Sequence, residues 1–517
     1  MKFNGPEPRP LELELELKLA LPISTRAELA KLLARVPVLA RCKPTELHLH
    51  NIYYDTAEQT LRKARVALRM RRLGSGGRPR WLQTLKIGGN GDSALSQRGE
   101  WETPTAGGAL EPGALETTPW SDIDPSGTLF AALKPCFVTT FDRTVWRVRQ
   151  RDGSEVEVAW DRGHVAAGAR TAPICELELE SRAGGPRALF DVARQIARTV
   201  AVIPLALSKS ERGYAMEQDG LGVAVHAVPP ILQGDLSVPQ AAQCVLREML
   251  CQFTSNLNAL HASDDPEVVH QARVGWRRFT SARRLFKPVL AEIAQPAWQT
   301  LKPLLRILSD LRDLDVARAE TLTTLAEAYV AGDAQRARSW RAFARNMDAA
   351  ATLARTAVRH ALEEPVIGAT LLSATQWLED LPSVAGPDAV ARQRPQSLVR
   401  WARSRTNRLH TQLQTALRAD SSAESQHQVR ILAKRMRYAI EAMRSLLPRR
   451  STRVQYRLAV QLQSGIGAAR DLVQAAALAS RLGADRGIVE FLRGLALGQQ
   501  RADNRPMLRD LANGGEK

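Results

Sequence analysis

The sequence lacks the long apolar runs and paired cysteines that are typical of membrane proteins and disulfide-rich proteins. No run of about 18 apolar residues occurs in its 517 residues, so we expect no membrane-spanning segment and no membrane partner. The opening MKFNGPEPRP lacks the apolar core of a signal peptide. The five cysteines form no CxxC pair, which disfavours a disulfide framework and a structural zinc site. Together these absences predict a cytoplasmic protein.

Aromatic residues are also scarce, at 5% of the chain, and positive charge is concentrated in one part. Residues 1–219 hold 31 Lys and Arg against 27 Asp and Glu, whereas the rest holds 41 against 27, an excess of +14. Such an excess indicates a polyanionic partner, and the candidates are nucleic acid, an anionic membrane and polyphosphate. Because base stacking needs aromatic rings, their scarcity disfavours single-stranded nucleic acid.

Two periodicities divide the chain. Up to about residue 215, apolar residues alternate in short runs with the period of strands, which predicts an antiparallel sheet or barrel. Helical patterns interrupt these runs at 25–36 and 186–201, and residues 219–240 are rich in Gly and Pro. The alternating runs are LELELELKL (11–19), ALRMR (67–71), WLQTLK (81–86), RTVWRVR (143–149), EVEVAW (155–160) and ICELELE (174–180).

Beyond that stretch the pattern is helical almost to the end of the chain. We therefore predict an α+β domain at 9–216, a linker at 217–238, an all-α domain at 239–500 and a tail at 501–517.

The helical part contains an internal repeat. HQARVGWRRFTSARRLF at 270–286 matches HQVRILAKRMRYAIEAM at 427–443, and the two segments start 157 residues apart. Further on, Arg312-Asp313 matches Arg470-Asp471, 158 residues apart. Two landmarks in the same order at nearly one offset predict two repeated helical bundles, at about 239–390 and 391–500.

Charges on the strands segregate by sign. Because residues i and i+2 of a strand point the same way, the glutamates of 12–16 share one face, as do those of 176–180 and the pair Arg69 and Arg71. A solvated amphipathic sheet accounts for any one of these strands. A closed barrel would instead place the acidic and basic sets opposite each other in a tunnel, where uncompensated charge is costly. Carboxylates suit Mg²⁺ or Mn²⁺, and arginines suit phosphoryl groups.

Here the sequence resembles a known family. Glu14-x-Glu16-x-Lys18 is similar to the ExExK signature of the CYTH family, which is named for class IV adenylyl cyclases and thiamine triphosphatases. That family's eight-stranded antiparallel tunnel acts on triphosphates with metal ions, and this sequence looks most like its inorganic triphosphatases with a C-terminal helical domain. The agreement covers about 200 residues and continues through YYDT (53–56), LRMR (68–71), TLK (84–86), QRGEW (97–101), FDR (141–143), ICELELE (174–180) and LSKSERGY (207–214).

The resemblance implies a role for each matching residue, with Mg²⁺ or Mn²⁺ as the cofactor. Lys18 and Lys86 would be catalytic, and either a carboxylate or Lys18 would accept the proton of the attacking water. The metal ligands would be Glu14, Glu16, Asp161, Glu176 and Glu178, with Glu180 continuing the same face. The substrate-binding residues would be Arg69, Arg71, Arg98, Arg143, Lys209 and Arg212.

The basic helices resemble a second family, the conserved-histidine α-helical domain CHAD, over roughly 240–500. The motifs are HQARVGWRR, LRDLDV, HQVRILAKRMRY and GAARD. In that family basic helices bind inorganic polyphosphate, so the resemblance implies a polyphosphate site on two helical faces. We expect both histidines to bond phosphate or a carboxylate rather than a metal. The residues of the two faces are His270, Arg273, Arg277, His427, Arg430 and Lys434.

The sequence therefore predicts an enzyme that hydrolyses inorganic tripolyphosphate to pyrophosphate and phosphate, with long-chain polyphosphate bound by the helical half. One alternative is a non-catalytic polyphosphate-binding or granule-associated protein whose tunnel is degenerate. Another keeps the enzyme but replaces the substrate by ATP or thiamine triphosphate. Nucleic acid binding by the basic half is disfavoured but left open.

Overall fold

The computed structural model describes residues 13–22, 26–74, 79–88, 93–218, 220–291, 293–384, 397–419, 423–465 and 467–503. The chain divides into two compact units. The first comprises Met1–Val223, Leu257–Ser263 and Leu362–Gln376, and the second comprises Ala224–Asn256, Asp264–Ala361 and Trp377–Lys517. Within the described ranges, no helix is both long enough and apolar enough to cross a membrane.

An antiparallel barrel forms the first unit. The strand order is β5-β4-β3-β2-β6-β7-β8-β1, and β1 also pairs with β5, so eight strands close on themselves. A short ninth strand pairs with β1. This closure confirms the expected eight-stranded antiparallel tunnel. The strands are β1 Leu13–Ala20, β2 Thr45–Asp55, β3 Val66–Leu73, β4 Arg80–Ile87, β5 Leu95–Thr105, β6 Lys134–Arg149, β7 Glu155–Ala167, β8 Arg170–Ala183 and β9 Ile203–Pro204.

Short helices flank the barrel, and the two expected from periodicity, α1 and α6, are both present. The helix α6 begins at Pro186, whose missing N–H costs nothing at the first helical position. A 3₁₀ turn lies at Pro112–Leu115. The helices are α1 Arg26–Ala34, α2 Pro37–Ala40, α3 Thr60–Lys63, α4 Trp120–Ile123, α5 Thr128–Ala131, α6 Pro186–Ala197 and α7 Lys209–Glu217.

The packing of α6 on the outside of the barrel determines which strand face points inwards. Leu17 of β1 and Leu177 and Leu179 of β8 are fully buried in one core cluster with Phe190 of α6. Burying each such side chain stabilises the fold by about 1.5–3 kcal/mol. Because successive strand residues point to opposite faces, burial of these leucines directs the alternating glutamates into the barrel.

From Val238 onwards the described residues are mainly helical, as the sequence predicts. The repeated segments lie on corresponding helices, α9 and α16, and the two Arg-Asp pairs lie on α11 and α18. A π-helical turn lies at Ala317–Thr321, with 3₁₀ turns at Trp298–Leu301 and Arg444–Leu446. The helices are α8 Val238–Leu260, α9 Pro266–Leu285, α10 Lys287–Leu290, α11 Lys302–Val316, α12 Leu322–Val330, α13 Ala334–Leu362, α14 Pro365–Val384, α15 Leu398–Leu417, α16 Ala423–Ala442, α17 Arg449–Gly465, α18 Gly467–Arg481 and α19 Arg486–Asp503.

The buried carboxylate of Asp55, at the end of β2, connects three elements of the barrel unit. Its Oδ1 accepts from the backbone N–H of Thr56 (2.7 Å) and Leu61 (2.8 Å), and its Oδ2 accepts from the N–H of Arg62 (3.0 Å). The Tyr214 hydroxyl of α7 also donates to Oδ2, at 2.7 Å. This carboxylate therefore caps α3 and fixes α7 against the barrel.

We expect Tyr214→Phe to lower the free energy of unfolding by about 1–3 kcal/mol, because it leaves a buried carboxylate oxygen with one donor fewer. Urea denaturation of the full chain measures this loss. Tyr54→Phe is the matched control, since no hydrogen bond of the Tyr54 hydroxyl is found among the described residues. Equal stability of Tyr214→Phe and Tyr54→Phe would show that the Asp55 contact does not stabilise the fold.

Candidate functional site

A cavity of about 210 Å³ inside the barrel is lined mainly by charged side chains, which make up 15 of its 25 described lining residues. The lining residues come from strands β1 to β8 and from the start of α7. Of the described residues, its acidic lining is Glu14, Glu16, Glu100, Glu102, Glu157, Glu178 and Glu180. Its basic lining is Lys18, Arg69, Arg71, Lys86, Arg98, Arg143, Arg182 and Lys209.

Three neighbouring strands bring carboxylates into one row. Glu180 of β8 lies opposite Glu16 of β1 and also opposite Glu157 of β7. Burial raises the pKa of Glu16, and the nearby Glu178 adds to the effect. Burial likewise raises the pKa of Glu180 to about 7, although Arg182 opposes the shift. Burial therefore favours the protonated form of Glu16 and Glu180, while Lys18, Arg98 and Arg182 pair with the row.

The other end of β1 is neutralised by basic residues of β4 and β5. Arg98 donates to Glu14 Oε2 and to Glu16 Oε2, each at 2.8 Å. Lys86 Nζ lies 2.9 Å from both Glu14 Oε2 and Glu100 Oε1. Burial opposes ionisation of Glu14, but Lys86 and Arg98 outweigh it and hold its pKa well below the usual range. Glu14 is therefore a carboxylate at neutral pH.

A second acidic cluster surrounds one lysine. Lys209 Nζ lies 2.6 Å from oxygens of Asp161 and Glu176 and 2.7 Å from one of Glu178. Burial lowers the pKa of Lys209, but these carboxylates outweigh burial and raise it. Arg143 donates two bonds of 2.7 Å to Asp161 and also contacts Glu178. Lys209 and Arg143 likewise outweigh burial at Glu178 and hold its pKa well below the usual range.

The position of Lys209 is fixed by the start of α7. Ser208 and Glu211 form a capping box there, in which each side chain bonds the backbone N–H of the other residue. Gly213, one turn later, packs directly on Phe137, where an added Cβ would lie 2.1 Å from a ring carbon. This helix therefore approaches the barrel more closely than a residue with a side chain at 213 would allow.

Two arginines of β3 each face a glutamate of β5. Arg71 donates to Glu102 at 3.0 Å, and Arg69 lies 3.4 Å from Glu100. Thr84, between them on β4, donates to Glu102 at 3.1 Å. Both guanidinium groups are thus held inside the cavity by carboxylates that an incoming anion can replace.

Most of the residues assigned from the sequence meet in this cavity. Three of them, Asp161, Glu176 and Arg212, lie outside its described lining, although Arg212 pairs with Glu176 at 2.9 Å and thereby joins the second cluster. The sequence assigned no role to several charged lining residues. These residues are Glu100, Glu102, Glu157, Glu180 and Arg182. Alternation from Arg98 through QRGEWE would have indicated Glu100 and Glu102, and alternation within EVEVAW would have indicated Glu157.

The acidic residues fit a divalent cation. One oxygen each from Asp161, Glu176 and Glu178 lies within 4.8 Å of the others, which is the only such group among the described residues. Hard oxygen donors of this kind are the ligands that Mg²⁺ and Mn²⁺ prefer. Glu16 lies on the neighbouring strand, two residues from the Lys18–Glu178 pair. The residues present would therefore hold a metal in place of the cationic side chains that now pair with them.

On the helical side, α9 presents the expected basic face. His270, Arg273 and Arg277 are half-buried, and Arg273 bonds Ser309 of α11. Burial and the nearby Arg312 lower the pKa of His270, which is thus a neutral imidazole at pH 7. Arg430 and Lys434 are half-buried on α16, whereas the side chain of His427 lies outside the described residues.

Comparisons with known proteins match both parts of the chain. Residues 12–214 match the model of the CYTH domain, and residues 244–480 match the model of the CHAD domain. A curated relative, the inorganic triphosphatase of Haemophilus influenzae (strain ATCC 51907 / DSM 11121 / KW20 / Rd), is 33% identical over 191 residues. The match covers 37% of this chain and 51% of the relative, so the chain spans about half the length of the curated relative that it matches.

Two solved structures are also similar to parts of the chain. The CHAD domain from the plant Ricinus communis is 28% identical, covers 56% of this chain and 96% of its own, and has a TM-score of 0.48. A Hippeastrum protein described as having a dominant triphosphatase activity is 17% identical, covers 40% of this chain and 96% of its own, and has a TM-score of 0.29.

We expect Lys209→Met to destabilise the metal-free protein by about 3–5 kcal/mol, because the variant removes the ammonium that pairs with Asp161, Glu176 and Glu178 together and leaves these buried carboxylates with too few cations. Mn²⁺ should then raise the melting temperature of this variant more than that of the wild type, since the ion replaces the missing charge. Scanning calorimetry with Mn²⁺ or EDTA measures both effects, and exposed Lys63→Met is the control. Equal Mn²⁺ shifts in all three proteins would exclude a cation site at this cluster.

Proposed function

We propose that this protein, which carries a CYTH domain followed by a CHAD domain, hydrolyses inorganic tripolyphosphate with bound divalent ions. The observation that carries the proposal is the charge balance of the cavity, whose described lining has eight basic and seven acidic side chains. Fully ionised, the lining carries a net charge of only +1, so it does not by itself compensate a polyanion. It suits a polyanion that enters together with divalent cations.

Each ion pair between side chains of the cavity would then be replaced by contacts with the substrate or with a divalent ion. Phosphate oxygens take over the arginines and lysines that now pair with glutamates, such as Arg71 with Glu102 and Lys86 with Glu14. Those glutamates, left without cations in a buried site, are then neutralised by divalent ions. A triphosphate and its metal ions thus bind favourably together although either alone would leave one set of charges unpaired.

The mechanism follows from this arrangement. Arg69, Arg71 and Arg143 offer forked N–H groups that hold phosphoryl groups in line and neutralise charge as the terminal group departs. When bound, a divalent ion adds further charge neutralisation and activates water. Lys18 Nζ lies 2.8 Å from Glu16 Oε2, and an ammonium donates but cannot accept, which favours a lining carboxylate as the proton acceptor.

The aromatic lining favours an inorganic substrate. Tyr53 and Phe141 are the aromatic residues among the described lining, and both are almost fully buried. Tyr53 stacks on Phe137 with ring centroids 4.7 Å apart, and Phe141 lies beneath Lys209. Since each ring already has such a partner and both side chains are almost fully buried, neither offers a stacking platform for a purine or thiazole ring. The Haemophilus influenzae relative is itself named an inorganic triphosphatase.

The helical domain, in the same proposal, binds long-chain polyphosphate. The chain beyond residue 219 carries an excess of 14 basic residues, and α9 and α16 each present part of that excess on one face. Polyphosphate is a regular array of charges without bases to read, so basic residues suffice for it.

We expect wild-type protein to release phosphate from tripolyphosphate with Mg²⁺ or Mn²⁺ but not with EDTA. Arg71→Ala should lower kcat/KM about 100-fold, because it removes one preorganised donor to the phosphates. Its matched control is Arg72→Ala, the next residue on the opposite face of β3. Parallel assays with ATP and thiamine triphosphate identify the substrate. A higher kcat/KM for ATP or thiamine triphosphate would make that compound the substrate instead of tripolyphosphate. No turnover of any of the three by folded protein would reject the enzyme and indicate a binding protein.

We expect Arg273→Ala/Arg277→Ala to weaken polyphosphate binding and to reduce the slope of log affinity against log salt by about 1.5, since two phosphate contacts are lost. Fluorescence anisotropy with labelled polyphosphate measures both quantities. The control is Arg338→Ala/Arg341→Ala, two exposed arginines of α13. An equal loss in both double variants would indicate general electrostatic attraction rather than a site on α9.

A further inference from the structure

Beside Arg71, on the inner face of the barrel, two fully buried polar side chains form a chain of hydrogen bonds with it, called the polar relay below. Asn51 of β2 lies directly opposite Arg71 of β3 on one side and opposite Thr139 of β6 on the other. Arg71 Nε donates to Asn51 Oδ1 at 3.0 Å, and Asn51 Nδ2 donates to Thr139 Oγ1, also at 3.0 Å. Neither Asn51 nor Thr139 is exposed at all.

Chemistry alone fixes the direction of this relay. A guanidinium has donors and no acceptor, so the atom facing Arg71 Nε must be the amide oxygen of Asn51. The amide NH₂ then points at Thr139, whose hydroxyl oxygen accepts. With Nε bonded to Asn51, the two terminal nitrogens of Arg71 are left to bond other acceptors, and one of them now contacts Glu102.

Arg71 needs such support because its neighbours repel it. Burial disfavours its charged form, and Arg69 and Arg143 both add positive charge nearby. The compensating carboxylate, Glu102, lies on the cavity side and is the partner that a phosphate would replace. A neutral acceptor at Nε holds the guanidinium in place without competing with the incoming anion for the two terminal nitrogens.

We propose that Asn51 is a positioning residue, which orients the terminal nitrogens of Arg71 towards the phosphates of the substrate while Thr139 orients the Asn51 amide. This inference rests on the proposed function and adds to it a residue outside the motifs that resemble the CYTH family. A purely structural role would predict lost stability without any change in how Arg71 contributes to binding.

The test compares Asn51→Leu, Arg71→Ala and the double variant in the full chain with tripolyphosphate and Mg²⁺. Asn51→Leu should raise KM about tenfold with a smaller change in kcat, because Arg71 loses its orientation but keeps its charge. In the Arg71→Ala background the same substitution should have no further effect on kcat/KM. The shift in melting temperature on adding a hydrolysis-resistant imido-triphosphate, measured in parallel, reports binding without turnover.

Thr139→Val keeps the Asn51–Arg71 bond but frees the amide, and should change KM in the same direction by a smaller factor. It serves as the test if Asn51→Leu does not fold. Additive effects of Asn51→Leu and Arg71→Ala, or an unchanged KM in Asn51→Leu and Thr139→Val, would overturn the inference. Absence of wild-type turnover is a separate result, which rejects the proposed function and leaves the imido-triphosphate shifts to decide whether Asn51 orients Arg71.

Discussion

The structure of the barrel unit depends on compensation of charge inside a closed sheet. Among the described residues, fifteen charged side chains line one cavity, where they form ion pairs instead of being hydrated. A single pair broken there leaves a buried charge, which costs far more than the pair contributes. The same sensitivity makes the cavity selective, because a ligand enters favourably only if it restores the balance that it disturbs.

This arrangement originates outside the barrel. Leu17, Leu177 and Leu179 bury their side chains under α6, and strand alternation then forces the intervening glutamates inwards. Asp55 fixes α7 through Tyr214, and α7 in turn places Lys209 among the carboxylates of Asp161 and Glu178. Apolar packing and backbone capping outside the cavity therefore determine where the charges inside it lie.

Much of this was predictable from local pattern, and the rest depended on register. Alternating leucines revealed β1 and β8, and amphipathic periodicity revealed α1 and α6. No alternation was assigned to β2 and β5, since TELHLHNIYYD and LSQRGEWETPT carry polar residues on both faces. The Glu16–Glu180 row and the Asn51 relay need cross-strand register, and the pairing of β1 with β5 joins segments about 80 residues apart. The segregation of acidic and basic residues onto different strands could be predicted from the sequence. The individual ion pairs between them could not.

The central claim is that triphosphate and divalent ions enter the cavity as mutual counter-charges. Equilibrium dialysis of a hydrolysis-resistant imido-triphosphate against the full chain tests it most directly, in EDTA and at saturating Mg²⁺. The account predicts at least about tenfold tighter binding with Mg²⁺, because the ion neutralises the glutamates that the phosphates displace. Equal affinity in EDTA and in Mg²⁺ would contradict it, since the cavity would then accept the polyanion without needing cations.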